Sequence, residues 1–489
     1  MAKIRDLPEE VLLIIFSYLK LRDRKVASRV SRLWNHLIFS DRPMRTIALH
    51  VTDYLKPKER KCLMSSKRLY RNLILEWVEA SCVPFLDEVL RKFGGDITTL
   101  KLSTYVVTPP VLVKFLLRTP KLDELIIEGC FVSDDCDLPI PPYKHIRALQ
   151  LSQRGFEHEV GELIPRVFPN LESLDVMASE AAAMSLISFY ARQLKCLHLH
   201  MESEQYRKFC NLDGLENLKR LNIYWPQSCD QRLVVESYRQ MRNLESACLS
   251  GPINEDSFKI ICNQWNQLQY LSLNVHSLKV PAFRQITQLK HIKVLKLQGS
   301  VRETNFLQGI SLPSVLSLIL DGVTSENGFY SNLVAFVPNI QLLHIYDHTI
   351  DNANVMLITK TMTSLRALSL EYCYQLKDEA FRFLNHLKDL VELRCWSVPI
   401  SENALVKFPK CPNLRNLSIG GSGWQITDKT ILDIPQVFPA LRELTIADCF
   451  KVHEDTIYTL QERMRGCAVY RQERPDPDRD TEQAWAKRW

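Results

Sequence analysis

No apolar run in this sequence approaches the roughly 20 residues that a bilayer-spanning helix needs, so the reading holds no membrane anchor. No C-x-x-C pair occurs among the 14 cysteines. Their scatter fits buried thiols in a reducing compartment, cytosol or nucleus, better than a disulfide framework or a zinc site. A secretory pattern is missing as well, because Arg5, Asp6, Glu9 and Glu10 stand before the first apolar run. Charge of one sign is not in large excess: 62 Lys and Arg face 56 Asp and Glu, and no stretch is basic enough to suggest a nucleic-acid groove. Asn416-Leu417-Ser418 fits the glycosylation sequon, but an intracellular chain does not meet that machinery.

Enzyme signatures are absent too. There is no G-x-x-x-x-G-K-[ST], no G-x-G-x-x-G, no H-E-x-x-H and no G-x-S-x-G. Gly420-Gly-Ser-Gly423 sits at a strand end and reads as a turn that needs permissive backbone angles. Cys248 and Cys395 fall at or beside strand positions with no activating base in view. The expectation is no intrinsic catalysis, no cofactor and no metal.

What is present is a repeat. The pattern apolar, two variable, Leu-like, one variable, Leu-like appears as Leu122-Asp-Glu-Leu125-Ile-Ile127 and again as Leu365-Arg-Ala-Leu368-Ser-Leu370. It recurs fifteen times, starting at Ile97, Leu122, Ile146, Leu171, Leu194, Leu218, Leu244, Leu268, Ile292, Val315, Ile340, Leu365, Leu390, Leu414 and Leu441, with separations of 23 to 27 residues. Motif and period are those of leucine-rich repeats. Each unit reads as a short strand whose alternate side chains point inward. Burying an aliphatic side chain contributes about 1.5–3 kcal/mol, so stacked units stabilise one another where one alone would not hold. Helix starts follow the strands, as at Asp378-Glu-Ala-Phe, Ser401-Glu-Asn-Ala and Glu454-Asp-Thr-Ile. Two weaker copies, around Ile47-Ala-Leu49 and Leu73-Ile-Leu75, precede the first clear one, and Lys56 to Lys61 reads as a solvated helix start rather than a nuclear-targeting signal.

The predicted fold class is therefore an α/β solenoid: a leucine-rich-repeat horseshoe with parallel strands concave, helices convex, and a separate all-α segment in front. Residues flanking the inward leucines face the concave side. Aromatic residues and Arg are enriched in binding hot spots. On that ground His198, Tyr224, Tyr270, His344, Tyr346, Glu371, Arg394 and Trp396 are the candidate substrate-binding residues, with His200, Asn222 and Asn274 beside them. His198 and His200 lack a third metal ligand.

The amino-terminal segment opens with Asp6-Leu-Pro-Glu9, a helix start with a capping side chain and Pro in the first turn. Val11, Leu12, Ile15, Phe16 and Leu19 lie on one face, with Leu13 and Ile14 apolar on another; a second helix is expected over Asp23 to Ile38. About forty residues seldom bury enough surface alone, so the exposed apolar faces predict a docking site.

Leu7-Pro-Glu-Glu10-Val-Leu12, Ile15-Phe16-Ser-Tyr-Leu19, Asp23 and Val30-Ser-Arg-Leu-Trp34 resemble the F-box, with Arg24 standing where the family often has Leu. The chain is thus similar to the F-box and leucine-rich-repeat proteins, with the F-box over 1–43, repeats over 44–465 and a tail over 466–489. The resemblance implies a substrate receptor of an SCF ubiquitin ligase, leading to proteasomal degradation. The F-box would hold the Skp adaptor, and through it the cullin scaffold and RING protein, while the repeats would hold an unknown protein substrate. It places Leu7, Pro8, Glu10, Leu12, Ile15, Phe16 and Leu19 against the adaptor, and Val30 and Trp34 partly in the module's own packing. Two alternatives stand beside it: a repeat scaffold or inhibitor acting without a ligase, and a small-molecule-dependent receptor. The latter would need a basic pocket, for which Lys101, Lys296 and Arg394 are dispersed. The polar tail reads as disordered, with Trp485 and Trp489 as groups that would fold back on the concave face.

Overall fold

The computed structural model describes residues 4, 7–19, 21–45, 47–52, 54–76, 82–131, 141–152, 158–177, 180–200, 212, 214–225, 230–301, 306–323, 328–399, 401–409, 411–421, 426–449, 451–464 and 466–472. Two compact units divide the chain, Met1–Leu218 and Lys219–Trp489.

The first unit begins with helices α1 (Glu9–Tyr18), α2 (Leu21–Ala27), α3 (Arg32–Ile38) and the short α4 (Asp41–Met44). Pro8 occupies the cap position of α1, and the expected capping residue Asp6 lies outside the described residues. The expected single helix from Asp23 to Ile38 is two helices. A new start is made at Ser31, whose hydroxyl accepts the N–H of Trp34 at 3.1 Å, so the chain turns between Ala27 and Arg32. Asp23 lies inside the first turn of α2 instead of capping it. Leu12, Phe16, Leu37 and Ile38 form the module's core, with Leu7, Ile15, Leu19 and Trp34 packed around them. Phe16 and Trp34 meet edge to face at 5.1 Å.

Parallel strands follow: β1 (Ala48–Thr52), β2 (Asn72–Glu76), β3 (Thr99–Val107), β4 (Glu124–Phe131), β5 (Ala148–Ser152), β6 (Ser173–Met177) and β7 (Cys196–His200). Each pairs with the next, as in Leu149 opposite Leu174 opposite Leu197, and the register shifts only between β3 and β4, past Ser103. The second unit continues the same plan with β8 (Arg220–Tyr224), β9 (Ser246–Ser250), β10 (Tyr270–Asn274), β11 (Val294–Gln298), β12 (Ser317–Asp321), β13 (Leu342–Tyr346), β14 (Ala367–Glu371), β15 (Glu392–Trp396), β16 (Asn416–Gly420), β17 (Glu443–Ala447) and β18 (Ala468–Gln472). All fifteen repeat starts precede a strand, and both weaker copies form strands β1 and β2.

The ladder also runs past the expected repeat end at 465. β18 pairs with β17, but the register sets Arg471 opposite Ile446, so a charged residue stands where the motif has its third apolar one. The remaining tail, with Trp485 and Trp489, lies outside the described residues.

Alternation explains the strands. In β5, β6 and β7 every second residue is buried and the others are half-buried. Side chains also tie neighbouring repeats together. Asn170, Asn217, Asn339 and Asn413 each stand immediately before a repeat's first apolar residue. Each donates its amide to a carbonyl one repeat earlier, on Lys144, Arg192, Pro313 and Lys388, at 2.7–3.0 Å. On the helix side of the second unit a further series binds the helix starts. Asn352, Asp378, Glu402 and Asp428 accept the backbone N–H of Lys377, Ser401, Thr427 and His453, each at 2.9 Å. Each link satisfies an amide at a helix start that the helix itself leaves open.

Candidate protein-binding surfaces

Two surfaces carry the sequence-predicted residues. The first is the helical module. Leu12 and Phe16 are each only 1% exposed and belong to the module's own core. Leu7, Ile15, Leu19 and Trp34 are half-buried, while Pro8 and Glu10 are exposed. Val30, expected to share in internal packing, stands outside at 64% exposure, because it falls in the turn between α2 and α3. Val26, at 62%, and Val11, Ile14 and Leu33 are exposed as well, so the module shows solvent more large apolar side chains than the motif alone indicated.

Arg24 explains how that surface is held. It is 4% exposed and donates to the carbonyl of Leu19 at 2.7 Å, that of Ser17 at 2.9 Å and that of Pro43. Burial lowers its pKa from the usual guanidinium value. One side chain therefore joins the end of α1 and the turn after it to α4, where a leucine would leave three carbonyls without this donor.

The second surface is the strand face turned away from the helices. His198 lies in the first unit, its Nδ1 3.1 Å from the Asp175 carboxylate on the adjacent strand. The other seven predicted residues lie in the second unit. Tyr346, Glu371 and Trp396 are direct neighbours at the ends of β13, β14 and β15, and His344, Ser369 and Arg394 form the row beside them. Tyr224 and Tyr270 are not part of this group. They sit on β8 and β10, separated from β13 by several strands at about 4.8 Å each.

Around this group the polar side chains are paired. Lys296 is buried and bonds to Asp321 at 2.9 Å, which also accepts from Gln298 at 3.0 Å. Burial pushes the Asp321 carboxyl up, but Lys296 and Gln298 outweigh it and leave it below the usual carboxylate range. Glu371 accepts from the Ser369 hydroxyl at 2.9 Å and lies 3.7 Å from His344 Nε2. Arg394 Nε donates to Glu392 at 2.8 Å, and Trp396 Nε1 donates to the Ser418 hydroxyl at 3.1 Å. Lys101, in the first unit, pairs with Glu128 at 2.7 Å.

Sequence reasoning missed three residues here: His348, Tyr372 and Tyr374. Tyr346 and Tyr372 lie 4.8 Å apart, and His348 stacks on Tyr374 at 5.2 Å with a 7° interplanar angle. Burial raises the Tyr346 pKa, helped by the neighbouring phenols and carboxylates. Tyr372 has φ of 55°, the left-handed region that a side chain rarely enters. The same position, one past the strand end, is Gly299, Gly322 and Gly421 in other repeats, with φ of 90°, 63° and 91°. There the N–H must reach the next strand: Tyr372 donates to the Trp396 carbonyl at 2.8 Å and Gly421 to that of Ala447 at 3.0 Å. Ser397 and Asp448 hold that position in two further repeats, with φ of 51° and 50°, so the signal available in the sequence was a bulky side chain where several repeats use glycine.

Chemistry of other kinds finds no support in these positions. Burial pushes the Cys373 thiol up to about 12 and that of Cys395 well above its usual value, the reverse of an activated nucleophile. Among the described residues no three His, Cys, Asp or Glu side chains converge to hold a metal ion, and no helix is long and apolar enough to cross a membrane.

The F-box-like family model matches residues 4–50, the segment that forms α1 to α4 and the start of β1. No curated protein matches the chain closely enough to count as a relative. Among solved structures, a leucine-rich-repeat protein of Leptospira interrogans is 16% identical over 86% of this chain and 100% of its own, with a TM-score of 0.38. The structure of the Rad7 and Elc1 complex in yeast is 15% identical over 98% and 94%, with a TM-score of 0.36. The TLR13–ssRNA13 complex is 14% identical over 88% of this chain and 55% of its own, with a TM-score of 0.38. The periodic parallel strands, the helices between them and the matched amino terminus together make this chain an F-box-like domain joined to a leucine-rich-repeat fold.

Proposed function

We propose that this chain is a non-catalytic substrate receptor of an SCF-type ubiquitin ligase. The F-box, over residues 1–43, binds a Skp-type adaptor and through it a cullin and its RING protein. The repeats, over 44–465 and continued by β18, hold a protein substrate in the cytoplasm or nucleus for ubiquitination and degradation. The observation that carries the reading is an F-box-like segment whose outward side chains are apolar where nothing described covers them: Val11, Ile14, Val26, Val30 and Leu33. Leu7, Pro8, Glu10, Ile15, Leu19 and Val30 contact the adaptor, with Leu12, Phe16 and Trp34 shaping the surface from beneath. On the repeats, Tyr346, Glu371, Trp396, His344 and Arg394 form the centre of the substrate surface, joined by His348, Tyr372 and Tyr374. The receptor then acts by holding a substrate lysine near the charged enzyme, which raises effective concentration without bond chemistry of its own.

Co-expression with a Skp-type adaptor tests this. The intact chain co-purifies with it, whereas Val26→Asp with Val30→Asp, and separately Leu7→Ala with Pro8→Ala and Ile15→Ala, lose the adaptor while melting as the parent does. An intact, folded chain that ignores the adaptor would remove the ligase reading and leave the ligase-independent scaffold.

A further inference from the structure

One short stretch of this chain is densely basic. Residues 56 to 71 hold seven basic side chains and one acidic one, a net +6 that equals the excess of the full chain. Three of the seven basic residues lie on α5 (Pro57–Ser65), which buries none of its residues. The carboxylate of Glu59 is already engaged, accepting the Lys56 backbone N–H at 2.8 Å to close the helix start. The arginines are held by neighbours. Arg60 donates to the Leu55 carbonyl at 3.1 Å and lies 4.5 Å over the Phe85 ring, and Arg68 lies 3.7 Å over that of Phe39. Lys58, Lys61 and Lys67 are exposed and form no ion pair with any described residue.

Beyond α5 the chain leaves a solvent-open groove against α6 (Val83–Phe93), lined by Lys67, Arg68, Leu69, Tyr70, Lys92 and Phe93. The carboxylate on its wall, Asp96, is taken by Lys121 at 2.6 Å. Lys92 is drawn across the groove and donates to the Met64 carbonyl. Leu69 stands 55% exposed on the rim. The groove adjoins the F-box-like module: Arg68 packs on Phe39, and the Asn72 amide donates to the Arg45 carbonyl at 2.7 Å.

The geometry points to a docking groove for an acidic polypeptide segment that carries an apolar side chain, beside whatever the module itself holds. Charge complementarity selects the class of partner, since a local +6 attracts and orients an anionic segment, and exposed Leu69 gives it an apolar contact. A polypeptide fits better than a nucleic acid for two reasons. The cations without ion pairs are lysines, whereas the arginine forks suited to phosphates are occupied by rings and a carbonyl. Tyr70 packs edge to face with Phe93 at 5.5 Å and is not a free platform for stacking bases.

Fluorescence anisotropy on the full chain tests the assignment. The probes are a short labelled Asp/Glu peptide with one central Leu, its Asn/Gln counterpart, and oligothymidine. The acidic peptide binds, more weakly as salt rises, and Lys58→Glu with Lys61→Glu and Lys67→Glu weakens it by about tenfold or more with melting unchanged. Lys259→Glu with Lys290→Glu and Lys360→Glu, all exposed in the second unit, leaves binding as it was. Leu69→Ser weakens the Leu peptide but not its Ala version. The neutral peptide binding as well, the distant variant losing as much, or oligothymidine binding more tightly would each overturn the proposal. Should the glutamate variant melt early, the triple Lys→Gln variant serves, and unchanged binding there is equally fatal. Adaptor co-purification of the triple variant keeps this result separate from the ligase reading.

Discussion

Arg24 joins three backbone carbonyls from inside the helical module. Removing it leaves one buried and two part-buried acceptors without this donor, and a buried unpaired acceptor costs about 1–3 kcal/mol. We expect Arg24→Ala to raise hydrogen exchange throughout α1 to α4 while the strand ladder stays protected. Arg24→Lys should not rescue it, because one ammonium cannot reach three carbonyls arranged around a planar fork. Equal protection in both variants and the parent would contradict this. The position was only partly legible in the sequence. A departure from the family's Leu is visible, but the carbonyls it serves are backbone atoms, to which side-chain patterns are blind. The same limit applies to Leu12 and Val30. Helical spacing marks both as apolar, but which is covered depends on the turn after α2, and that turn is set by Ser31. Tyr372 is the residue-scale counterpart on the repeats. Its left-handed backbone costs about 1 kcal/mol or more for a non-glycine residue. Tyr372→Gly should therefore be more stable than Tyr372→Ala by about that amount, measured by urea unfolding, although both lose the ring contact with Tyr346. Equal stabilities would mean that the backbone is not strained there.

At the scale of elements, the strands were legible because their inward leucines recur at nearly constant spacing, and burial of alternate residues follows from that spacing. The links between helix starts were not legible as a series, because Asn352, Asp378, Glu402 and Asp428 differ in type and share only an acceptor oxygen. One of them makes a pH prediction. Bonds from the Thr456 side chain and from the His453 backbone and side chain hold the Asp428 carboxyl down at about 2. A carboxylate depressed in the folded state contributes fully above its unfolded pKa, and that contribution disappears as pH falls through the folded value. Between about pH 4 and pH 2, the urea midpoint of the parent should fall more steeply than that of Asp428→Asn, which cannot gain a proton there. Parallel slopes would show that this link does not sense pH. β18 marks the other boundary of legibility: with Arg471 in place of the third apolar residue, only backbone pairing with β17 reveals the strand.

At the scale of the whole molecule, a repeat protein has stability that is close to a sum over neighbours, because each strand is bonded only to those beside it. A defect should accordingly stay near its origin. Leu444, on β17, is fully buried and stands opposite Leu417 on one side and Val469 on the other. Leu444→Ala should cost about 2–5 kcal/mol through lost burial and the cavity left behind. The last repeats have few neighbours to share that loss, so they should open first. Hydrogen exchange is expected to rise in β16, β17, β18 and the helices Asp428–Val437 and Glu454–Arg463. The F-box-like helices should keep their protection. If the same substitution loosened α1 to α3 as much as β18, the chain would be unfolding as one cooperative body. A repeat fold whose two ends can be altered separately would then be the wrong description of this protein.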